Sequence, residues 1–448
     1  MAKKLRVLAF CDSPACFSGF GQVARNILMQ MHNSGKYDVE CFGINHQYEH
    51  DEYGRMGQSP YPFPIMKSNY ITVDEKKKGF DPTDPFGRAK FLKLISQEKY
   101  DIIWSVQDPY VVDFIGDAMQ RYEKELHKER PQVVFYFPVD AHDTYPEWLR
   151  IPLLLDFPVV YTEFGKKEII RSARESIEEG VVNGKQLLNK ALEIPVIYHG
   201  TNTTDFYPTD HTDKDKKEYK KEVFGDENAY LVMNLNRNQP RKDMPRTILA
   251  FKEFRKQVPE AVLWLFCKDR DIGWNLRDLV YRFDLVVNKD VFFAEYPEGE
   301  KAQKGIPIEV INEAYNMADM VITTTLGEGW GLSVTEAMAT RTPVIAPRNT
   351  SMPEIIGDDE RGFLCECGTT LSELFVMPGA EREPIRQLTN VESLVEKMML
   401  VYENKDKPLV QDKVEAAFKW VKERTWSKIF EEQWMPLLDK VAEKCNKS

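Results

Sequence analysis

The feature that most limits what this chain can become is a rhythm that runs twice. Short, wholly apolar runs alternate with segments whose apolar residues recur every third or fourth position. An unbroken apolar run of four to eight residues fits a strand buried on both faces, and strands separated by helices pair in parallel. The fold class is therefore α/β with parallel sheets. In the first series LRVLAF (5–10) is a strand, and SGFG (18–21) turns into a helix with Val23, Ile27 and Met31 on one face and Gly35 as its stop. DVECFGI (38–44), YDIIWSV (100–106), QVVFYFPV (132–139), PVVYTE (158–163) and PVIY (195–198) follow as strands, while 45–85 has no period. The polar run TDHTDKDKKEYKKE (209–222) reads as a linker entering a solvated helix. The rhythm then restarts with AYLVMNL (229–235), AVLWLF (261–266), DVFF (290–293), ADMVITTT (318–325), PVIAP (343–347) and GFL (362–364). A helix over 391–403 and a terminal helical stretch carrying Trp420, Trp426 and Trp434 complete it.

Composition narrows the function classes. A chain of 448 residues with 42% hydrophobic residues is too long for one small module and too apolar to be disordered. With 60 cationic and 71 acidic side chains, the net charge of −11 weighs against a broad footprint on nucleic-acid phosphates. No apolar run reaches the roughly 18 residues a membrane span needs, and the first apolar stretch stops at Asp12, too soon for a secretory signal core. The seven cysteines are scattered; Cys365 and Cys367 lack the second pair a zinc site needs. They read as reduced structural thiols, and the expected location is cytoplasmic.

Open α/β sheets bind ligands at the carboxyl ends of their strands, so the turn after each strand is where chemistry is sought. The strongest signal is GEGWGLSVTEAMATRTPVIAP (327–347), between two strands. Glu328 stands among Gly327, Gly329 and Gly331, and Glu336 lies eight positions on, in a helix beginning near Ser333. Glycines let a ligand approach the backbone, a helix N-terminus favours an anion, and a carboxylate can accept from two hydroxyls, as a sugar or ribose diol offers. The bland alternative is a capping box, Ser333 with Glu336, beside a solvated loop carboxylate. A second cluster, Arg237, Arg241 and Lys242, puts three cations in six residues after the strand 229–235, which suits a diphosphate. Asp243 is expected to cap the helix that follows.

The spaced glutamates within EGWGLSVTEAMATRTPVIAP resemble the signature of retaining glycosyltransferases of glycosyltransferase family 4, which have the GT-B fold. NLNRNQPRKD (234–243), IPVIYHGTNTTDFYP (194–208), SGFGQVARN (18–26), TEFGKKEI (162–169) and TWSKIFEEQW (425–434) are similar to family segments, in family order and across nearly the whole chain. YFPVD and NRNQPRKD look like bacteriophage-type members. The resemblance implies two Rossmann-like domains facing across a cleft, 1–208 on the acceptor side and 209–424 on the nucleotide-sugar side, with 425–448 crossing back to the first. It implies that Arg237 and Lys242 bind the donor pyrophosphate, that Glu328 holds sugar hydroxyls and that Glu336 holds the ribose diol. Gly329, Trp330, Gly331, Leu332 and Ser333 would bring backbone to the donor, with Gly19, Phe20 and Gly21 over its phosphates. A strand-end residue in FPVDAHDTYPEW (137–148), Asp140 or His142, would touch the donor sugar, and Asp108 is an acceptor-side candidate. Two departures stand out: Arg341 where the family carries a small residue, and a long excursion over 366–388.

The implied reaction moves a sugar from a nucleotide diphosphate sugar to a hydroxyl acceptor with retention, needing neither metal nor cofactor. A hydroxymethylated base in DNA is an alternative acceptor that the acidic charge disfavours. A catalytically silent nucleotide-sugar-binding protein is the alternative from another class. A dinucleotide oxidoreductase is a rival that the lack of a complete G-x-G-x-x-G turn disfavours, since SGFGQVA has only the first two glycines.

Overall fold

The computed structural model describes residues 4–46, 61–68, 84–126, 129–294, 305–377 and 384–446. Most of the unpatterned stretch 45–85 lies outside the described residues. The chain divides into two compact units: Met1–Pro138 with Thr144–His199 and Trp426–Ser448, and Val139–Asp143 with Gly200–Thr425. The terminal segment is thus counted with the first unit. Within the second unit, Tyr207 and Thr209 donate backbone N–H bonds of 3.0 and 2.8 Å to Asn312 and Asn316. The polar run after them is a helix, Asp213–Phe224, started by a capping box between Thr212 and Asp215.

The first unit is built on a parallel sheet of six strands, β1 (Leu5–Asp12), β2 (Tyr37–Ile44), β3 (Ile65–Lys67), β4 (Ile102–Val106), β5 (Gln132–Phe137) and β6 (Phe157–Val160). Their spatial order is β3-β2-β1-β4-β5-β6. Val7 through Cys11 and all of β5 are buried, as strands covered on both faces must be. PVIY is not a strand: Val196 makes a single bridge to Val160, since Pro195 has no N–H to extend the ladder. β3 had no signal in the sequence because it is three residues long.

The second unit repeats the plan with β7 (Tyr230–Leu235), β8 (Ala261–Phe266), β9 (Val291–Phe293), β10 (Met320–Ile322), β11 (Val344–Pro347) and β12 (Phe363–Cys365). The order is β12-β11-β10-β7-β8-β9, with parallel neighbours. Its core gathers Val232, Phe251, Phe254, Leu263, Ile322, Leu394 and Met398, and each such side chain contributes about 1.5–3 kcal/mol on burial. The excursion after β12 contains an antiparallel pair, Leu374–Val376 with Ile385–Gln387.

Both sheets reverse direction once, between β1 and β4 and between β7 and β10. A switch point leaves a crevice at the carboxyl ends of the two adjacent strands. Among the described residues no helix is long and apolar enough to cross a membrane.

Candidate active site

In the second unit the loops after β7 and β10 leave adjacent strands at the switch point, and this brings the two sequence clusters together. Lys242 Nζ donates to Glu328 Oε1. Arg241 Nη1 donates to Glu328 Oε2 at 2.9 Å and to the Gly327 carbonyl at 2.5 Å. Glu328 and Lys242 side chains are only 12% and 13% exposed. Burial pushes the Glu328 carboxyl up, but the Lys242 and Arg241 charges outweigh it and hold it down at about 2. Burial lowers Lys242, against the pull of Glu328.

The loop that carries the cations is pinned from the other strand. Thr324 Oγ1 donates to the Asp243 carbonyl at 2.8 Å, and Leu326 N donates to the Arg241 carbonyl at 2.8 Å. The end of ADMVITTT therefore leaves the ladder to fix the loop instead of lengthening β10. Asp243 occupies the N-cap position of the helix Met244–Arg255, yet its side chain does not cap; it pairs with Arg246 at 3.1 Å.

The turn after β10 is held by the segment after β11. Glu328 N donates to Thr350 Oγ1 at 2.9 Å, and Ser351 Oγ donates to the Glu328 and Trp330 carbonyls at 2.8 and 2.7 Å. Asn349 Nδ2 reaches the Thr325 carbonyl at 3.1 Å. Sequence reading missed these supports; the polar run RNTS directly after an apolar strand was their signal. Gly331 has φ 123°, a backbone conformation that residues with a Cβ rarely adopt, and a Cβ there would also push on Met352 Cε at 2.6 Å.

Gly331 is the N-cap of the helix Leu332–Ala339, which places Ser333 inside the helix. The Ser333/Glu336 capping box, the bland alternative for these residues, does not form. Glu336 is instead buried, 7% exposed, and accepts from the Tyr315 hydroxyl at 3.0 Å. Gly329 and Trp330 are buried in the turn between the two glutamates, and Trp330 stacks on Trp420 with ring centroids 6.2 Å apart.

Arg237 stands on a different partner. Its Nε and Nη2 donate to Asp271, after β8, at 2.6 and 3.1 Å, and its side chain is 60% exposed. The structure therefore groups Arg241 and Lys242 with Glu328 and sets Arg237 beside Asp271. Asp140 belongs to the second unit and joins the cluster: its carboxylate lies 3.3 Å from Arg241 Nε and 3.3 Å from Arg386 Nη2. Arg386, in the excursion, gave no sequence signal. His142 sits half-buried in the turn after Asp140. Arg341, at φ 61°, turns outward to Glu415 at 2.7 Å and lies over the Phe418 ring.

In the first unit the switch point between β1 and β4 holds a polar cluster. Asp12, at the end of β1, accepts from Ser18 Oγ at 2.5 Å and Gln107 Nε2 at 2.8 Å. Burial raises its carboxyl despite these donors. Ser18 caps the helix Gly19–Asn33 by accepting from Gly21 N at 2.9 Å. Gly19 is exposed, Phe20 half-buried and Gly21 buried; a Cβ on Gly21 would lie 2.7 Å from the Cys16 carbonyl. Asp108 precedes a single 3₁₀ turn, Pro109–Val111, without capping it. All seven cysteines are free thiols, and among the described residues no cluster of three His, Cys, Asp or Glu has metal-binding geometry.

Residues 301–374, spanning the turn after β10 and its helix, match the family described as Glycosyl transferases group 1. Sucrose-phosphate synthase from Thermosynechococcus elongatus superposes with a TM-score of 0.67 at 16% identity, covering 98% of this chain and 100% of that one. The fold is GT-B, that of the solved neighbour. HepE of Anabaena, solved in complex with UDP and glucose, superposes on this chain with a TM-score of 0.63 at 15% identity, covering 97% of this chain and 100% of that one. In sequence, EpsD of Bacillus subtilis, a protein assigned as a glycosyltransferase, is 27% identical over 317 residues, 70% of this chain and 74% of its own. The GDP-mannose-dependent mannosyltransferase of Mycolicibacterium smegmatis that acts on phosphatidylinositol monomannoside is 28% identical over 189 residues, 40% of this chain and 44% of its own.

Proposed function

We propose that the protein is a retaining, metal-independent glycosyltransferase of glycosyltransferase family 4, transferring a sugar from a nucleotide diphosphate sugar to a hydroxyl acceptor. The observation that carries this reading is the joint seat of Lys242, Arg241 and Glu328 at the β7/β10 switch point. A diphosphate competes with Glu328 for the two cations. Once it enters, Glu328 is released to accept from sugar hydroxyls, and Glu336, buried in the first turns of its helix, offers its carboxylate to the ribose diol. Arg237, exposed and paired to Asp271, is available to add a bidentate grip on phosphate.

Breaking the anomeric bond puts negative charge on the departing diphosphate and positive charge on the ring. Lys242 and Arg241 already converge on one carboxylate, so turning them to the leaving oxygens would require little reorganisation. These side chains supply the positive charge that a metal provides in other transferases. The acceptor hydroxyl attacks from the face the diphosphate leaves. Its proton passes to a leaving-phosphate oxygen, so configuration is retained without an enzyme nucleophile. The free thiols fit a reducing, cytoplasmic setting.

Thermal shift against a panel of UDP-, GDP- and ADP-sugars tests the donor reading, since a ligand that binds the native state raises its melting temperature. The same panel, assayed for nucleotide release with free sugars as acceptors, tests turnover. Stabilisation without release from any donor would point to a binding protein; no stabilisation by any member would remove the donor reading altogether.

A further inference from the structure

Arg386 lies in the strand Ile385–Gln387 of the excursion that sets this chain apart, with a side chain only 2% exposed. Its Nη1 donates to the Asp140 backbone carbonyl, and its Nη2 lies 3.3 Å from Asp140 Oδ1. The other carboxylate oxygen, Oδ2, is 3.3 Å from Arg241 Nε. Arg241 in turn holds the Gly327 carbonyl and Glu328. The packing is tight: a Cβ on Gly327 would collide with the Asp140 carbonyl and stand 2.9 Å from Arg386 Nη1. Arg386, Asp140, Arg241, Glu328 and Lys242 thus form one chain of alternating charge, three cations sharing two carboxylates.

We propose that Arg386 is a positioning residue for the donor diphosphate, acting through Asp140 on Arg241. The inference rests on the donor-binding reading above. When Glu328 turns from Arg241 toward sugar hydroxyls, Asp140 is the carboxylate that still orients the guanidinium. Arg386 fixes both the backbone and the side chain of Asp140, which a planar fork does and a lysine ammonium does less completely. Without it Asp140 turns to water, and Arg241 samples rotamers that miss the phosphate. Arg241 grips the diphosphate before and during reaction, so its misplacement weakens ground-state binding more than the chemical step.

The test is calorimetric binding of UDP, GDP and ADP to the full chain, followed by KM and kcat with the sugar nucleotide of whichever base binds. Arg386→Met is expected to weaken nucleoside diphosphate binding about tenfold and raise KM with little change in kcat, with Arg386→Lys between it and wild type. Asp140→Asn is expected to match Arg386→Met, and the double variant to be no weaker than either alone. Melting without nucleotide controls for folding; if Arg386→Met does not fold, Arg386→Lys and Asp140→Asn carry the comparison. Wild-type-like binding by these variants, or losses that multiply in the double variant, would overturn the positioning role while leaving the donor reading intact. Wild type binding none of the three nucleotides would take both down.

Discussion

Lys242 and Glu328, 86 positions apart in the chain, form a buried ion pair across two adjacent parallel strands of the second sheet. Burying two charges is offset only by close pairing and further hydrogen bonds, and here Arg241 Nη1 adds one to Glu328 Oε2.

Lys242→Ala is expected to lower turnover by about 10²–10³-fold, the usual loss when one preorganised charge partner of a transition state is removed. Glu336→Ala is expected to lower donor affinity and turnover with the sheet intact. Nucleotide release, compared with circular dichroism of each variant, checks both; full activity in the two variants would sink the site.

Arg237 and Arg241 should separate under mutation. Arg237, 60% exposed on Asp271, is expected to cost under about 1 kcal/mol of stability as Arg237→Ala. Arg241→Ala leaves Glu328 and the Gly327 carbonyl short of a donor and is expected to cost about 1–3 kcal/mol. Urea unfolding reads the stability difference; donor titration then shows whether each cation also serves the ligand.

Acid should reach the second unit through Glu328. Its carboxyl is held at about 2, below its ordinary 4.5, so it stabilises the fold fully above 4.5 and progressively less as pH falls toward 2. Glu328→Gln is expected to be less stable at pH 7 and to show a flatter decline between pH 4.5 and 3. An unchanged slope in urea titrations across that window would contradict the pairing.

His199 gives the first unit a different acid response. Burial against Tyr136 lowers its imidazole from 6.5 to about 3. Between those values the unfolded chain binds a proton that the folded chain refuses, so stability falls as pH drops from 6.5 toward 3. His199→Gln is expected to reduce the loss between pH 6.5 and 5, read by guanidinium unfolding of the first unit.

Gly331→Ala is expected to destabilise the turn after β10, because a Cβ there meets Met352 Cε at 2.6 Å and φ is 123°. Gly331→Ala with Met352→Ala relieves the collision but not the backbone strain, so only part of the melting temperature should return.

The sequence by itself determined the two parallel sheets, because an apolar run buried on both faces leaves its mark on every residue, as in AVLWLF, which is β8 end to end. It also marked the turns that matter, because glycines, carboxylates and cations crowd strand ends only where a ligand or a partner charge stabilises them. Which cation meets which carboxylate was decided by tertiary structure alone. Arg237 and Arg241 are indistinguishable as letters, and only the β7/β10 neighbourhood sends one to Glu328 and the other to Asp271. Arg386 and Asp140 lie 246 positions apart and meet through a short antiparallel pair. Hydrophobic periodicity is local and repeats along the chain. Charge pairing depends on distance in space, and only the sheet order sets that distance.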